Sequence, residues 1–299
     1  MKHLMKTGVL LMLLVPEVTA QQLSLYSQFM FNDYVLNPAV AGTKNYYQIR
    51  TDSRFQWVGI LDGPQTVSVS VFGPHASKPM GFGGYIINDV TGPASRTGAY
   101  GTYAYNVMVN NDIRLSMGLS FGMLQSKIDG TKITLFDQDD NALQHAVYSS
   151  IVPDASVGLY MYGEKWYAGA SAFQLFVNSL KMYDMKNGLN RLKIHFYLMG
   201  GYIFEAGDNF TIEPAMLIKK TTPVPVQVDL NAKITYLKKV WLGVSFRSSD
   251  AVALLVGYVH NDKYYLGYSY DIGINDIRKY NNGSHEIMMG VRFNNIKNR

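Results

Sequence analysis

Val224-Pro225-Val226-Gln227-Val228-Asp229-Leu230-Asn231-Ala232-Lys233-Ile234-Thr235-Tyr236 is the stretch whose pattern decides the fold. From Val226 every even-numbered residue is apolar, and every odd-numbered one can hydrogen bond or carry charge. A period of two is the mark of a strand with one greasy and one wet side. One such strand would also suit a soluble sandwich. Here the pattern returns about fourteen times between Tyr46 and Phe293, mostly in runs of about nine to eleven residues or more, the length a tilted strand needs to cross a bilayer, whereas soluble strands stop near five or six. The expected fold is all-β: a transmembrane, antiparallel, up-and-down β-barrel of about 14 strands.

Composition agrees with that reading. The chain has 299 residues, 22 Tyr, 27 Gly and only 16% charged residues, and no Pro/Ser-rich linker divides it. Mean hydropathy is near zero, as expected when a lipid face is averaged with a polar lumen. There is no Cys, so disulfides and thiolate metal sites are excluded. Net charge is +5, falling to +4 without Lys2, Lys6 and Glu17, and it is too slight and dispersed for nucleic-acid binding. The amino terminus reads as a secretory leader. Lys2, His3 and Lys6 form a basic start, Gly8 to Val15 an apolar run too short to span a bilayer, and Val18-Thr19-Ala20 a small-residue cleavage site before Gln21.

The domain plan is then a signal peptide over residues 1–20, an amino-terminal strap or docking segment over 21–45, the barrel over 46–293 and a polar tail over 294–299. Strands are predicted at Tyr46–Trp57, Gln65–Gly73, Met80–Val90, Ser95–Val109, Asp112–Asp129, Pro153–Tyr162, Lys165–Val177, Lys193–Ala206, Phe210–Lys219, Val224–Tyr236, Val240–Arg247, Ala251–His260, Lys263–Ile272 and Ser284–Phe293. Arg50, Asp52, Arg54, Asp229 and Lys233 are expected to face the lumen, and Tyr47 and Trp57 to sit in interfacial belts. Ser116, Gly118, Ser120 and Gly122 share a face and leave lumen space for a plug or a neighbouring side chain. Ala251–His260 alternates poorly, which leaves its facing open. Counted from a periplasmic amino terminus, the tight connections (Asn110-Asn111, Gly163-Glu164, Gly207–Asn209, Leu237–Lys239, Asn261-Asp262) are all even-numbered. The longest ones, Gly130–Val152, Asn178–Leu192 and Gly273–Gly283, are all odd-numbered, as expected of periplasmic turns and outer loops.

Ser24 to Gly42 is aromatic-rich but aperiodic, so it must lie against something: a strap on the rim or in the lumen, or a docking surface for a periplasmic partner, with Phe29, Phe31, Asn37 and Pro38 as its principal residues. In the outer loops Phe136, Asp139, Tyr148, Lys181, Tyr183, Arg278 and Tyr280 mix apolar and charged groups as a partner-binding surface does. No catalytic constellation is evident. The six His residues lack metal-ligand spacing, and neither Gly-x-Ser-x-Gly nor His-Glu-x-x-His occurs. Ser and His brought together across strands remain an open alternative. Gly81-x-Gly83-Gly84 lies in a strand pattern with no helix after it, so it is not a phosphate loop. Asp137, Asp139, Asp140 and Asn141 would serve either as solvated acids or as oxygen ligands for calcium. No cofactor and no metal site is expected.

The chain resembles the PorP/SprF-type outer-membrane proteins of the type IX secretion and gliding apparatus. The marks are Ser27-Gln28-Phe29-Met30-Phe31-Asn32, Asn37-Pro38-Ala39-Val40-Ala41-Gly42, Arg54-Phe55-Gln56-Trp57-Val58-Gly59 with Gly63-Pro64-Gln65-Thr66, Asn88-Asp89 with Gly92, Leu115–Leu119, Gly169–Ser171 and Gly267–Asp271. It departs from the pattern at Asn32-Asp33-Tyr34, where a Pro is expected soon after the Asn. The resemblance implies a non-enzymatic outer-membrane component that supports export of a large adhesin and retains it on the cell through its carboxy-terminal domain. It also implies periplasmic partners, including type IX and peptidoglycan-linked components. The alternative from the residues alone is a channel or transporter for small solutes.

Overall fold

The computed structural model describes residues 23–133, 147–180 and 191–296. Its strand segments are β1 (Tyr47–Phe55), β2 (Gln65–Pro74), β3 (Met80–Thr91), β4 (Ala94–Met108), β5 (Arg114–Asp129), β6 (Val147–Tyr162), β7 (Trp166–Phe173) and β8 (His195–Tyr202). They continue as β9 (Phe204–Ala206), β10 (Phe210–Thr221), β11 (Gln227–Tyr236), β12 (Val240–Arg247), β13 (Ala251–His260), β14 (Tyr264–Gly273) and β15 (Ser284–Phe293). β8 and β9 are one strand. Ala215 faces Gly201 and Ile212 faces Phe204, so the register is unchanged across the gap at Ile203. Glu213 of β10 lies opposite Ile203, and the neighbouring Pro214, opposite Tyr202, has no N–H to give the ladder. β1 pairs with β15, Tyr47 opposite Phe293 and Phe55 opposite His285. The sheet therefore closes as a 14-strand antiparallel barrel.

Its surface is inverted relative to a soluble protein. On β2, Val67, Val69 and Val71 are exposed while Thr66, Ser68 and Ser70 are buried, and on β11 Leu230 is 48% exposed but Asp229 0%. An apolar outer band of this kind needs lipid against it. Among the described residues no helix is long and apolar enough to cross a membrane; the strands do it. Facing on β13, open from sequence, is now fixed: Ala251, Ala253, Leu255 and Val259 are buried, and Leu254 and Val256 are exposed.

Several expected boundaries move. β6 begins at Val147, not Pro153, pairing with β5 as far as Asp129↔Val147. Pairing with β7 starts only at Val157↔Ala172, so Pro153 lies where the strand has one neighbour, a setting that tolerates proline. Tyr148 is consequently a strand residue rather than an outer-loop one, half-buried beside Leu124, Val152, Leu180 and Leu192. β7 stops at Phe173 because Gln174 and Val177 take positive φ values of 59° and 49°. β11 starts at Gln227, after Pro225. Trp57 leaves β1 with φ of 54°, so it is a loop residue and not part of the strand's belt.

The connections fall into two classes by end. One end carries the short turns at His75–Pro79, Val109–Ile113, Gly163–Lys165, Gly207–Asn209, Leu237–Lys239 and Asn261–Lys263, together with the start of β1 and the end of β15. The other carries, among the described residues, 130–133 after β5, 174–180 and 191–194 between β7 and β8, the span from Ile274 to Gly283 with its 3-10 helix Asp276–Tyr280, and shorter links such as Gly92-Pro93. Below they are the turn end and the loop end.

Candidate functional site

Leu23 to Gly42 lies in the lumen. Tyr26, Phe29, Tyr34, Val35, Leu36, Ala39, Val40 and Ala41 are all buried and pack with inward residues of the wall, among them Phe72, Tyr85, Ala104, Tyr160, Tyr197 and Leu217. Two short 3-10 turns, Asp33–Leu36 and Pro38–Val40, satisfy part of the segment's own backbone. The wall must supply the remainder, because a buried amide without a partner costs as much as a lost hydrogen bond.

It does so most densely around Ser27 and Gln28. Their successive N–H groups donate to the two oxygens of one carboxylate, Glu286, at 2.8 and 2.9 Å, and Gln28 Nε2 donates to the Glu286 carbonyl at 3.2 Å. Ser27 Oγ donates to Asp271 at 2.7 Å and accepts from Arg54 Nη1 and Arg247 Nη2, each at 2.9 Å. Arg54 also holds Asp271 at 2.8 Å and Glu286 at 3.1 Å, while Arg247 reaches Asp250, Asp271 and Asp229. Lys219 closes the network on Asp229 at 2.8 Å. Three cations (Arg54, Lys219, Arg247) thus meet four carboxylates (Asp229, Asp250, Asp271, Glu286). Arg54, Arg247, Asp229, Asp271 and Glu286 are at most 2% exposed. Charges so buried need partners, and here each has one.

Below this lock the contacts continue towards the turn end. Asn32 Nδ2 donates to Asp52 at 2.6 Å, and Ser70 donates to Asn32 Oδ1 at 3.2 Å. Phe31 stacks on Trp241 with centroids 4.1 Å apart, and Lys233, paired with Glu213 at 2.6 Å, lies over the Phe31 ring at 4.5 Å. Tyr34 stacks on Phe72 and donates to Thr102 at 2.6 Å. Asn37 is fully buried. Its Nδ2 donates to the Leu159 and Ala170 carbonyls at 2.9 and 3.4 Å, and its Oδ1 accepts from the Ala39 N–H at 3.0 Å. Pro38 and Ala39 press their backbone on Gly118, and Ala41 presses its carbonyl on Gly81. At both glycines a Cβ would collide with main chain, which is why β5 and the start of β3 carry glycine at these two positions.

The expected lumen residues are therefore distributed over this interface. Arg54 and Asp229 belong to the lock, Asp52 and Lys233 touch the segment singly, and Arg50 bonds Gln48 at 3.0 and 3.1 Å under the Tyr265 ring. Phe29, Phe31, Asn37 and Pro38 are turned to the inner wall, none of them fully exposed, so none forms an open surface on the rim. Arg278 and Tyr280 are exposed at the loop end. Phe136, Asp139, Lys181 and Tyr183, and the Asp137–Asn141 cluster, lie outside the described residues; no cluster of His, Cys, Asp or Glu able to hold a metal ion occurs among the described residues. Sequence reasoning missed Ser27, Gln28, Lys219, Arg247, Asp271 and Glu286. Each wall member lies on the polar face of its strand and near the loop end, and that shared height was the available signal.

Comparison with known proteins agrees with the architecture. The barrel is similar to the toluene transporter TbuX of Ralstonia pickettii, with a TM-score of 0.52, 8% identity and coverage of 86% of this chain and 92% of that one. It is also similar to a mutant of the TodX monoaromatic hydrocarbon channel, with a TM-score of 0.50, 8% identity and coverage of 88% and 94%. At such identities the likeness is one of fold. No curated protein matches the chain in sequence. The sequence model of the type IX secretion system membrane protein PorP/SprF matches residues 18–291, nearly the whole chain. With its barrel, its internal segment and that match together, the chain belongs to the PorP/SprF family of type IX secretion system outer-membrane proteins.

Proposed function

We propose that this barrel is a non-enzymatic component of type IX secretion and gliding machinery, supporting export of a large adhesin and holding its carboxy-terminal domain at the cell surface. The observation that carries this reading is the occupied lumen. A barrel of this width is filled either by water or by protein, and here a segment bonded to the wall by a buried charge network runs through it. Such an interior suits a rigid platform better than a conduit for small solutes. The turn end faces the periplasm and the loop end the exterior, as in single-chain bacterial barrels. Type IX and peptidoglycan-linked components then meet the turn end. The adhesin meets the loop end, through residues 130–146, through Lys181 and Tyr183, and through Arg278 and Tyr280.

Shortening residues 130–146 to a tight turn tests this. Loop length costs little stability, each doubling only about 0.6 kcal/mol, so the barrel should still fold and insert while the adhesin disappears from the cell surface. Normal adhesin retention by the shortened barrel would remove that loop from the contact surface. A large steady conductance of the wild-type barrel in planar bilayers would instead favour the channel reading.

A further inference from the structure

The order of contacts along the lumen gives the segment a direction. Ser24 Oγ donates to Asp89, two residues from the loop end of β3, and Leu23 and Leu25 line a cavity of about 560 Å³ at the loop end with Trp57, Pro64, Asp250 and Asn275. Ser27 and Gln28 are next, on Glu286, Arg54, Asp271 and Arg247, all within a few residues of the loop ends of their strands. Asn32 follows at Asp52, midway along β1, and Tyr34 at Thr102, midway along β4. Ala39 then accepts from Ser116 near the start of β5, and Gly42 abuts Gly81 at the start of β3, both at the turn end. Tyr47 opens β1 there. From Ser24 at the loop end to Gly42 at the turn end the contacts span the barrel, although Phe31 reaches Trp241 near the turn end ahead of Asn32, and Leu36 accepts from Ser171 near the loop end of β7. Eighteen steps from Ser24 to Gly42 could reach about 60 Å if extended, against an apolar band of about 25 Å, and the two 3-10 turns take up part of the surplus.

We infer that the amino-terminal segment is threaded through the barrel from the exterior mouth inward, so that its leading residues belong to the cell-surface face and not to the periplasm. On this reading the periplasmic side receives only the residues that lead directly into β1, in place of the periplasmic amino terminus expected from the sequence. Leu23 and Leu25 form the floor of the exterior mouth, between the Trp57 and Asn275 sides, and this floor is offered to the adhesin domain. With cleavage after Ala20, the new amino group would lie two residues ahead of Leu23. The inference rests on the orientation proposed above, and its test separates the two.

The chain has no Cys, so single variants Leu25→Cys, Asp276→Cys and Asp208→Cys report one site each; Asp276 and Asp208 are exposed at the loop end and the turn end. Intact cells are treated with a membrane-impermeant maleimide, and the same variants are labelled as purified barrels in detergent. Reaction at positions 25 and 276 on cells, with 208 reacting only after the outer membrane is permeabilised, is the expected result. Position 276 reacting while 25 stays silent on cells overturns the threading, as does a position 25 that follows 208. A position 25 unreactive even in detergent overturns the open floor. Reaction of 208 alone on intact cells overturns the orientation, and with it the exterior address of Leu25.

Discussion

Glu286→Ala isolates the contribution of the lock. The substitution removes the acceptor of two successive buried N–H groups, those of Ser27 and Gln28, and one of the bonds to Arg54. A buried donor left without a partner costs about 1–3 kcal/mol, so two cost about 2–6 kcal/mol. Loss of the carboxylate leaves three cations facing three carboxylates in place of four, which relieves some repulsion and places the net effect near the lower end, about 3 kcal/mol. The released state, where water meets the same N–H groups, does not feel this cost. Its population should rise about a hundredfold, at 1.4 kcal/mol per factor of ten. Val35, 7% exposed and against the inner wall, is the reporter: in a Val35→Cys background, thiol labelling of the detergent-solubilised barrel measures how often the segment leaves. Glu286→Ala should accelerate that labelling about a hundredfold while heat-modifiable migration shows an intact wall. An acceleration below about threefold, less than 0.7 kcal/mol, with the wall intact would refute the idea that Glu286 holds the segment.

Three further substitutions probe other parts of the interior and the outer face. Gly118→Val puts side-chain atoms where the Pro38–Ala39 backbone lies, so the barrel should still insert, with the segment expelled and Val35→Cys labelled rapidly; slow labelling would mean that the segment does not press on β5. Asn37→Asp sets a carboxylate against the Leu159 and Ala170 carbonyls and should destabilise the plugged state by about 1–3 kcal/mol, whereas Asn37→Ala lacks the repulsion and should cost less; equal labelling rates for the two would contradict that geometry. Leu230→Arg on the lipid face should cost about 2–4 kcal/mol if it lies near the bilayer midplane. Measured by urea titration of the barrel in lipid vesicles, a cost no larger than that of Leu230→Ala would contradict the facing.

The wall was legible because its physics is local. Alternation at Val226–Tyr236 reports facing residue by residue, and the length of each run reports the membrane. Proline was the main source of displaced boundaries. Pro153 reads as a strand start when neighbours are unknown, yet it sits inside β6 where only β5 flanks it. Facing on β13 was illegible for a different reason: its inward residues Ala253 and Leu255 are apolar because they join the cluster around Trp241, which Phe31 also touches, so the wet side of that strand is not wet. The amino-terminal segment was illegible in direction, having no period. Its course is written in partners such as Glu286 and Asp271, more than 240 positions away, and a carboxylate on the polar face of a strand looks the same whether it meets water or Ser27.

Those long separations bear on how the barrel is made. Ser27 and Gln28 are synthesised before every strand of the wall, and the Glu286 that receives their N–H groups sits on the strand that pairs with β1 to close it. Arg247 and Asp271, which complete the shell around the Ser27 hydroxyl, are also in the last quarter of the chain. Until β15 arrives the segment can be laid along β1 to β5 but not latched, and once β15 has closed against β1 its leading residues can reach the far mouth only by being drawn through a finished tube. Threading and closure therefore belong to one step of biogenesis, in which a segment made ahead of the wall is latched by the strand that closes it.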